Sequence, residues 1–482
     1  MAKITSFTDD ALIALDNLSD AAGSLLNPTL RFGVTGLSRA GKTVFITSLV
    51  HNLLHGGRLP LFSPYAEKRL SAARLEQQPD DAIPRFQYED HLASIINDRQ
   101  WPQSTRSISE LRVKLEFQSA SGWNRTFGAG TLTLDIVDYP GEWLLDLPLL
   151  GKSYAQWSRE ASALSLLPNR KKLARKWHET SEKVSPEADA DEMVARDLAA
   201  SFTAYLKSCR EDKSALSTLP PGRFLMPGDL EGSPALTFAP LQVDDQIAQE
   251  GSLHAMMERR YESYKSIVVK PFFREHFARI DRQVVLVDAL QALNVGGAAV
   301  ADLETALSDI LACFNHGKRS FLTSLFSTRT DKILFAATKA DHLHHENHDR
   351  LEAILSKMVE RAVGRARFAG AQVDVVALAA IRATREAEIE EGKEKLPVIV
   401  GTPQAGERMG RQTFDGNTQT AVFPGDLPAK IEDVEASNLT SNLNFLRFSP
   451  PALEKSDDGL TVSLPHIRLD RAMEFLLGDA LQ

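Results

Sequence analysis

The sequence predicts an α/β fold built on a mostly parallel sheet, with a large, mostly helical insertion and a small β-like excursion near the C-terminus. Three observations carry this expectation. LRFGVTG (30–36), a glycine-rich loop and VFITSLVHNLL (44–54) read as strand, loop and helix. QVVLVDAL (283–290), KILFAATKAD (332–341) and VDVVALAAI (373–381) are apolar runs, the first two separated by helical patterning. Such runs alternating with helices mark strands buried on both faces of a parallel sheet. Between these parts, residues 143–280 are rich in Leu, Ala, Glu, Lys and Arg, with helical patterning in places.

In chain order, residues 8–26 read as an amphipathic helix, with Leu12, Leu15, Leu18, Ala22 and Leu25 on one face and Thr8 as N-cap. Asp9, Asp10, Asp16 and Asp20 disfavour anionic lipid, so this helix is expected to dock on the protein's own core. Residues 56–110 are proline-punctuated and read as irregular. LRVKLEF (111–117) and TLTLDIVD (131–138) read as adjacent antiparallel strands. Residues 382–395 are too polar for a core-facing helix, and 396–464 are β-like. PHIRLDRAMEFLLGDALQ carries Ile467, Leu469, Met473, Phe475, Leu476 and Leu477 as an apolar face, and is expected to close the sheet as a terminal helix. The expected organisation is therefore an N-terminal helix (1–28), a first core part (29–142), the insertion (143–280), a second core part (281–395), the excursion (396–464) and the terminal helix (465–482).

Of 482 residues, 43% are hydrophobic and 25% charged, which argues against a disordered chain. The net charge of -9 disfavours nucleic acid as the main partner. The cysteines, Cys209 and Cys313, are too few for a disulfide framework and fit a reducing compartment. The N-terminus lacks an apolar leader segment, and no 18-residue apolar run occurs, so a cytoplasmic protein without a transmembrane segment is expected.

The chemistry is carried by three short motifs. Gly36-Leu-Ser-Arg-Ala-Gly41-Lys42-Thr43 fits G-x-x-x-x-G-K-[ST] at every fixed position. Its glycines let the backbone wrap so that N–H groups face phosphate oxygens, and the helix after it adds the positive end of its dipole. Lys42 is expected on the β- and γ-phosphates, and the Thr43 hydroxyl on Mg²⁺. The candidate phosphate-binding set is Gly36, Ser38, Arg39, Ala40, Gly41, Lys42, Thr43 and Val44.

Asp138-Tyr-Pro-Gly141 ends the strand 131–138. An aspartate at that tip can hold Mg²⁺ through water, and Gly141 can bring its N–H against the γ-phosphate. Asp135 is the rival acid, but it lies inside the strand and has no glycine after it. Thr338-Lys339-Ala340-Asp341 comes directly after KILFAA and matches [NT]-K-x-D. The Asp341 carboxylate can accept from N1–H and the N2 amine of guanine, whereas adenine lacks that amine and presents a lone pair at N1. The Lys339 stem can lie along the base. Ala379 and Ala380 are candidates for the backbone N–H that meets the base's O6.

These motifs, in this order and with an antiparallel second strand, resemble the TRAFAC class of P-loop GTPases with a Ras-like core. GLSRAGKT, DYPGEW, TKAD and the terminal PHIRLDRAMEFLLGDAL are similar to the YcjX-type family of bacterial P-loop proteins, over nearly the whole chain. The resemblance implies GTP and GDP as ligands, Mg²⁺ as cofactor, and an association with bacterial stress responses.

The chain departs from the general pattern in places. The residue after Gly141 is Glu142, where many GTPases have a water-orienting Gln. A carboxylate can act as a base there, but it also repels phosphate in a dry site, so slow hydrolysis without an activator is one expectation. Arg39 is weighed as an arginine finger in cis against a solvent-facing loop residue. Thr105, in WPQSTRS, is the candidate switch I threonine, touching both Mg²⁺ and the γ-phosphate. Lys42, Glu142 and Thr105 thus form the candidate catalytic set, and Thr43, Asp138 and Thr105 the candidate metal set. The insertion begins just after Gly141 and is the expected surface for a protein partner. Its most basic run, RKKLARKWHE (170–179), is either a solvated face or a peripheral contact with anionic groups such as membrane headgroups. His344 and His348 have metal-pair spacing, but the polar loop around them favours an ordinary surface. The leading expectation is a Mg²⁺-dependent GTPase acting as a switch; the alternative is a nucleotide-gated binding module with very low hydrolysis.

Overall fold

The computed structural model describes residues 28–37, 39–78, 80–103, 107–120, 130–212, 219–243, 247–312, 330–368, 370–391, 394–428, 443, 445–453 and 464–482. The helix expected over 8–26, together with Ser38 and Thr105, lies outside these residues.

Among the described residues the central sheet has seven strands: β1 (Thr29–Gly36), β2 (Leu70–Glu76), β3 (Ser109–Phe117), β4 (Gly130–Asp138), β5 (Arg282–Val287), β6 (Lys332–Ala337) and β7 (Gln372–Ala377). Their spatial order is β2-β3-β4-β1-β5-β6-β7. The run β4-β1-β5-β6-β7 is parallel, whereas β2 and β3 are antiparallel additions at one edge. The mostly parallel α/β sheet and the antiparallel pair β3–β4 are those expected from the sequence.

Alternation along each inner strand sends side chains to two cores. Val284 and Leu286 of β5, Leu334 and Ala336 of β6, and Phe32 and Val34 of β1 pack with the helix Lys42–His55 and the terminal helix Leu469–Leu477. Val285, Val287, Ile333 and Phe335 face the opposite core, which continues into the helices between β4 and β5. These include Tyr154–Ser165, Pro168–Ser181, Glu192–Glu211 and Leu253–Tyr264.

The structure differs from two sequence expectations. The segment 56–110 is not wholly irregular, because it holds β2 and the helix Tyr88–Ile96. β2 escapes recognition because it is an edge strand, half exposed, with arginine and glutamate among its residues. The boundary at 395/396 cuts a hairpin: β8 (Arg385–Glu391) pairs antiparallel with β9 (Glu394–Gly401). The small sheet β12-β9-β8, with β12 at Thr420–Val422, therefore starts near residue 385. The two-residue strands β10 (Arg408–Met409) and β11 (Gln412–Thr413) pair with each other beside it.

One buried carboxyl joins the 3₁₀ segment Gly141–Gly151 to the helices after it. Asp146 accepts from the Gly222 N–H at 2.7 Å, the Arg223 N–H at 3.2 Å and the Tyr264 hydroxyl at 2.5 Å. Burial outweighs these donors and pushes its carboxyl up from 3.8 to about 6. Because the folded value lies above the ordinary one, its contribution to stability is fully present below about pH 4 and is lost as pH rises through about 6. The stability advantage of the wild type over Asp146→Asn should therefore shrink by about 1–3 kcal/mol between pH 4 and pH 7. Denaturant titrations across that range check this; a constant or growing gap contradicts it.

Candidate functional site

The site is built where strands β1, β6 and β7 end. Gly41 caps the helix Lys42–His55 with φ 87°, a left-handed conformation in which a side chain would be strained. The loop residues Arg39 to Thr43, with Val44 and Phe45, line a cleft. Lys42 is largely buried, and its ammonium donates to the Gly36 carbonyl at 3.2 Å, which keeps the charge over the loop. Arg39 is exposed and adopts φ 66°.

The second acid stands at the tip of β4. Asp138 is 1% exposed and pairs in register with Val34 of β1, just before the loop. Asp135 is engaged by Arg112 in a two-pronged contact at 2.6 and 2.8 Å, which removes the rival. Thr43 and Asp138 offer hard oxygen donors, a set that suits Mg²⁺. Tyr139 is fully buried; its hydroxyl accepts from the Gln283 side chain at 3.0 Å, and its ring meets Phe272 and Phe277 edge-on. Gly141 lies directly against the loop: a Cβ there would overlap the Gly36 carbonyl oxygen.

Glu142 is buried, with Oε1 at 3.2 Å from the Arg210 guanidinium. Arg210 belongs to the helix Glu192–Glu211, so the carboxylate weighed as a water-orienting base is held by an ion pair to the insertion. Trp143 continues the anchor, with the Arg223 guanidinium over its ring at 3.2 Å. Gly222 abuts the Glu142 carbonyl so closely that a Cβ would overlap it.

At the other end of the cleft, the Thr338 N–H donates to the Val287 carbonyl at 3.0 Å, tying β6 to β5. Lys339 takes φ 62° and its ammonium pairs with Asp288. Asp341 is 4% exposed; its Oδ2 accepts from the Ala383 N–H at 2.8 Å and its carbonyl from the Thr384 hydroxyl. A carboxylate has about four acceptor positions, so this bond orients Asp341 and leaves capacity for a ligand. The Ala379 N–H is spent on the Ile467 carbonyl at 3.0 Å, which removes it as the O6 donor and leaves Ala380 as the candidate. The Ser48 hydroxyl donates to the Ala380 carbonyl at 2.6 Å, fastening this loop to the helix Lys42–His55.

Arg39, Ala40, Gly41, Lys42, Thr43, Val44, Thr338, Lys339, Asp341, Ala379 and Ala380 thus share one cleft. Gly36 and Gly141 adjoin it through their mutual contact. Glu142 does not line it, and Ser38 and Thr105 lie outside the described residues. Sequence reasoning missed Trp101, Pro102, His342, Gln404, Arg447 and Phe448, which also line it. None belongs to a motif, and the last three come from the excursion. Loss of hydration holds the His342 imidazole below its usual range, which favours the neutral ring. His344 and His348, read from the sequence as ordinary surface, are both buried; among the described residues His344, His345 and Glu346 form a closer group, and His345 pairs with Glu386 at 2.6 Å.

A mostly parallel α/β sheet with a phosphate-loop sequence at the end of its first strand is compatible with a Ras-like GTPase. The chain belongs to the YcjX-like family (DUF463), whose profile matches residues 30–481. It is similar to a protein named Ras-like GTPase YcjX from Escherichia coli (strain K12), with 41% identity over 465 residues, covering 94% of this chain and 96% of that one. A second protein of the same name, from Shewanella oneidensis, is 35% identical over 495 residues, covering 98% and 99%. Among the described residues, no helix is long and apolar enough to cross a membrane.

The contact between Gly141 and Gly36 generates a direct test. Gly141→Ala forces apart two backbone segments that cannot yield as a flexible side chain would, so it should cost on the order of 1–3 kcal/mol. Thermal unfolding should show a lowered midpoint; an unchanged midpoint would mean that the two loops do not meet.

Proposed function

We propose that this protein is a Mg²⁺-dependent guanine-nucleotide switch that hydrolyses GTP to GDP and phosphate. The observation that carries the reading is the single cleft shared by the phosphate loop at Arg39–Val44 and the base-reading residues Thr338, Lys339 and Asp341. The names of its relatives support the same ligand.

In this reading, loop N–H groups and Lys42 bind the phosphates, and Thr43 and Asp138 hold Mg²⁺, which neutralises charge on the phosphate oxygens. Gly141 meets the γ-phosphate through its N–H. Because Glu142 and Trp143 come directly after Gly141, any displacement of it acts on Arg210 and Arg223, and so on the helices of 143–280. We assign those helices the role of presenting different surfaces to a protein partner in the two nucleotide states. The proposed setting in a bacterial stress response rests on the family resemblance.

A second reading, a binding module with very slow turnover, is favoured by one observation. The Glu142 carboxylate is engaged by Arg210 and buried, so it is not free to activate water. Phosphate release under multiple-turnover conditions separates the two: sustained release supports the enzyme, and release of less than one equivalent supports the module.

Base specificity tests the main reading. Each hydrogen bond to the Asp341 carboxylate is worth ~1.5–3 kcal/mol, and an adenine base leaves its ligand-facing acceptor positions desolvated and unfilled. A site of this kind rejects the wrong base by about 10⁴-fold or more. GTP should displace a labelled guanine nucleotide, and ATP should fail to do so even in large excess. Asp341→Asn can keep the contact with the Ala383 N–H through its amide oxygen while its amide N–H donates to an oxo group at position 2. That variant should lose GTP and gain xanthosine triphosphate. Equal binding of ATP and GTP by the wild type, or an unchanged base preference in the variant, would defeat the assignment.

A further inference from the structure

The cleft has a wall that no sequence motif explains. Gln404, Arg447 and Phe448 reach it from the excursion, beside Trp101. The wall is tied together by specific contacts. The Trp101 indole N–H donates to the Phe448 carbonyl at 2.7 Å, and the Gln404 main-chain N–H donates to the Arg447 carbonyl at 2.8 Å. The Arg99 guanidinium reaches the Pro450 carbonyl at 3.3 Å. The Phe448 ring meets His342 edge-on at 5.3 Å, and His342 is the residue after Asp341. The wall is therefore joined to the base-reading end of the cleft through Phe448 and His342.

Within it, Arg447 is prepared for a ligand. Its Nε lies 2.8 Å and its Nη2 2.6 Å from the Glu407 Oε1, and its main-chain N–H donates to the other carboxylate oxygen at 3.2 Å. The Glu407 side chain is 8% exposed and that of Arg447 61%. A buried carboxylate thus grips one edge of the guanidinium and fixes its plane, while most of the cation stays open. A fixed, weakly hydrated, planar cation suits the face of a purine and the hydroxyls of a ribose. The phosphate end already has Lys42 and Arg39.

We infer that Arg447, oriented by Glu407, is a nucleoside-binding residue whose guanidinium packs on the base–ribose half of the bound nucleotide, so that the excursion completes the pocket. This rests on the guanine-nucleotide reading above. Glu407 is a positioning residue in this arrangement. The segment 99–103 is fastened to the same wall through Trp101 and Arg99.

The test uses the full-length protein, with GDP and GMP titrated by calorimetry or by displacement of a labelled guanine nucleotide. Arg447→Ala should weaken GDP and GMP by the same factor, about tenfold, and Arg447→Ala combined with Glu407→Gln, which leaves no buried carboxylate without its cation, should show the same loss. Arg447→Lys keeps the charge but loses the plane, and should weaken both nearly as much. Unchanged affinity in Arg447→Ala would reduce the wall to packing. A loss confined to GDP, with GMP unaffected, would place Arg447 on the phosphates and overturn the nucleoside assignment, as would full affinity in Arg447→Lys. A wild-type protein that bound neither GDP nor GTP would bring down the guanine-nucleotide reading itself, an outcome distinct from these.

Discussion

Much of the molecule depends on one close approach, the packing of Gly141 against the Gly36 carbonyl. It fixes the end of β4 on the loop that leaves β1. Parallel pairing of β1 with β4 brings the two strand tips side by side, and only a residue without a side chain lets the segments after them touch. Tyr139, buried and bonded to Gln283 of β5, holds the intervening turn from behind. The consequence is that a segment beginning at residue 141 cannot move without disturbing the phosphate loop, and the reverse.

The chain just beyond Gly141 is gripped as firmly on its other side. Glu142 is paired with Arg210, Trp143 lies beneath Arg223, and Asp146 collects donors from Gly222, Arg223 and Tyr264. These contacts come from widely separated parts of 143–280. The 3₁₀ segment Gly141–Gly151 is therefore shared between the sheet and the helices, rather than being a loop with freedom of its own. The other end of the cleft has the same character. Ala383 and Thr384 orient Asp341, and Glu407 orients Arg447, so elements distant in sequence stiffen groups that line one cleft.

The parts of this arrangement that could be read from the sequence are those whose signal is local. The phosphate loop is contiguous, and its spacing already states its backbone requirement. β5 and β6 are legible because strands buried on both faces must be apolar throughout. β2 is not, because an edge strand with one wet face carries polar residues that look like loop. Glu142 reads as a potential base in sequence, since nothing near it announces Arg210. The spent N–H of Ala379 depends on Ile467, and the wall at Arg447 and Phe448 depends on chain crossings that no period or motif encodes. Polar contacts of long sequence separation are decided by the tertiary fold, and here they decide which candidates can act.

The central claim is that the γ-phosphate and the 143–280 helices are connected through Gly141, Glu142 and Trp143. Hydrogen exchange of the Mg²⁺-supplemented protein with GDP, compared with a non-hydrolysable GTP analogue, tests it most directly. The expected result is altered protection in peptides covering 141–149, Arg210 and 222–225, along with the phosphate loop. Altered protection in the phosphate loop with identical protection throughout 143–280 would contradict it.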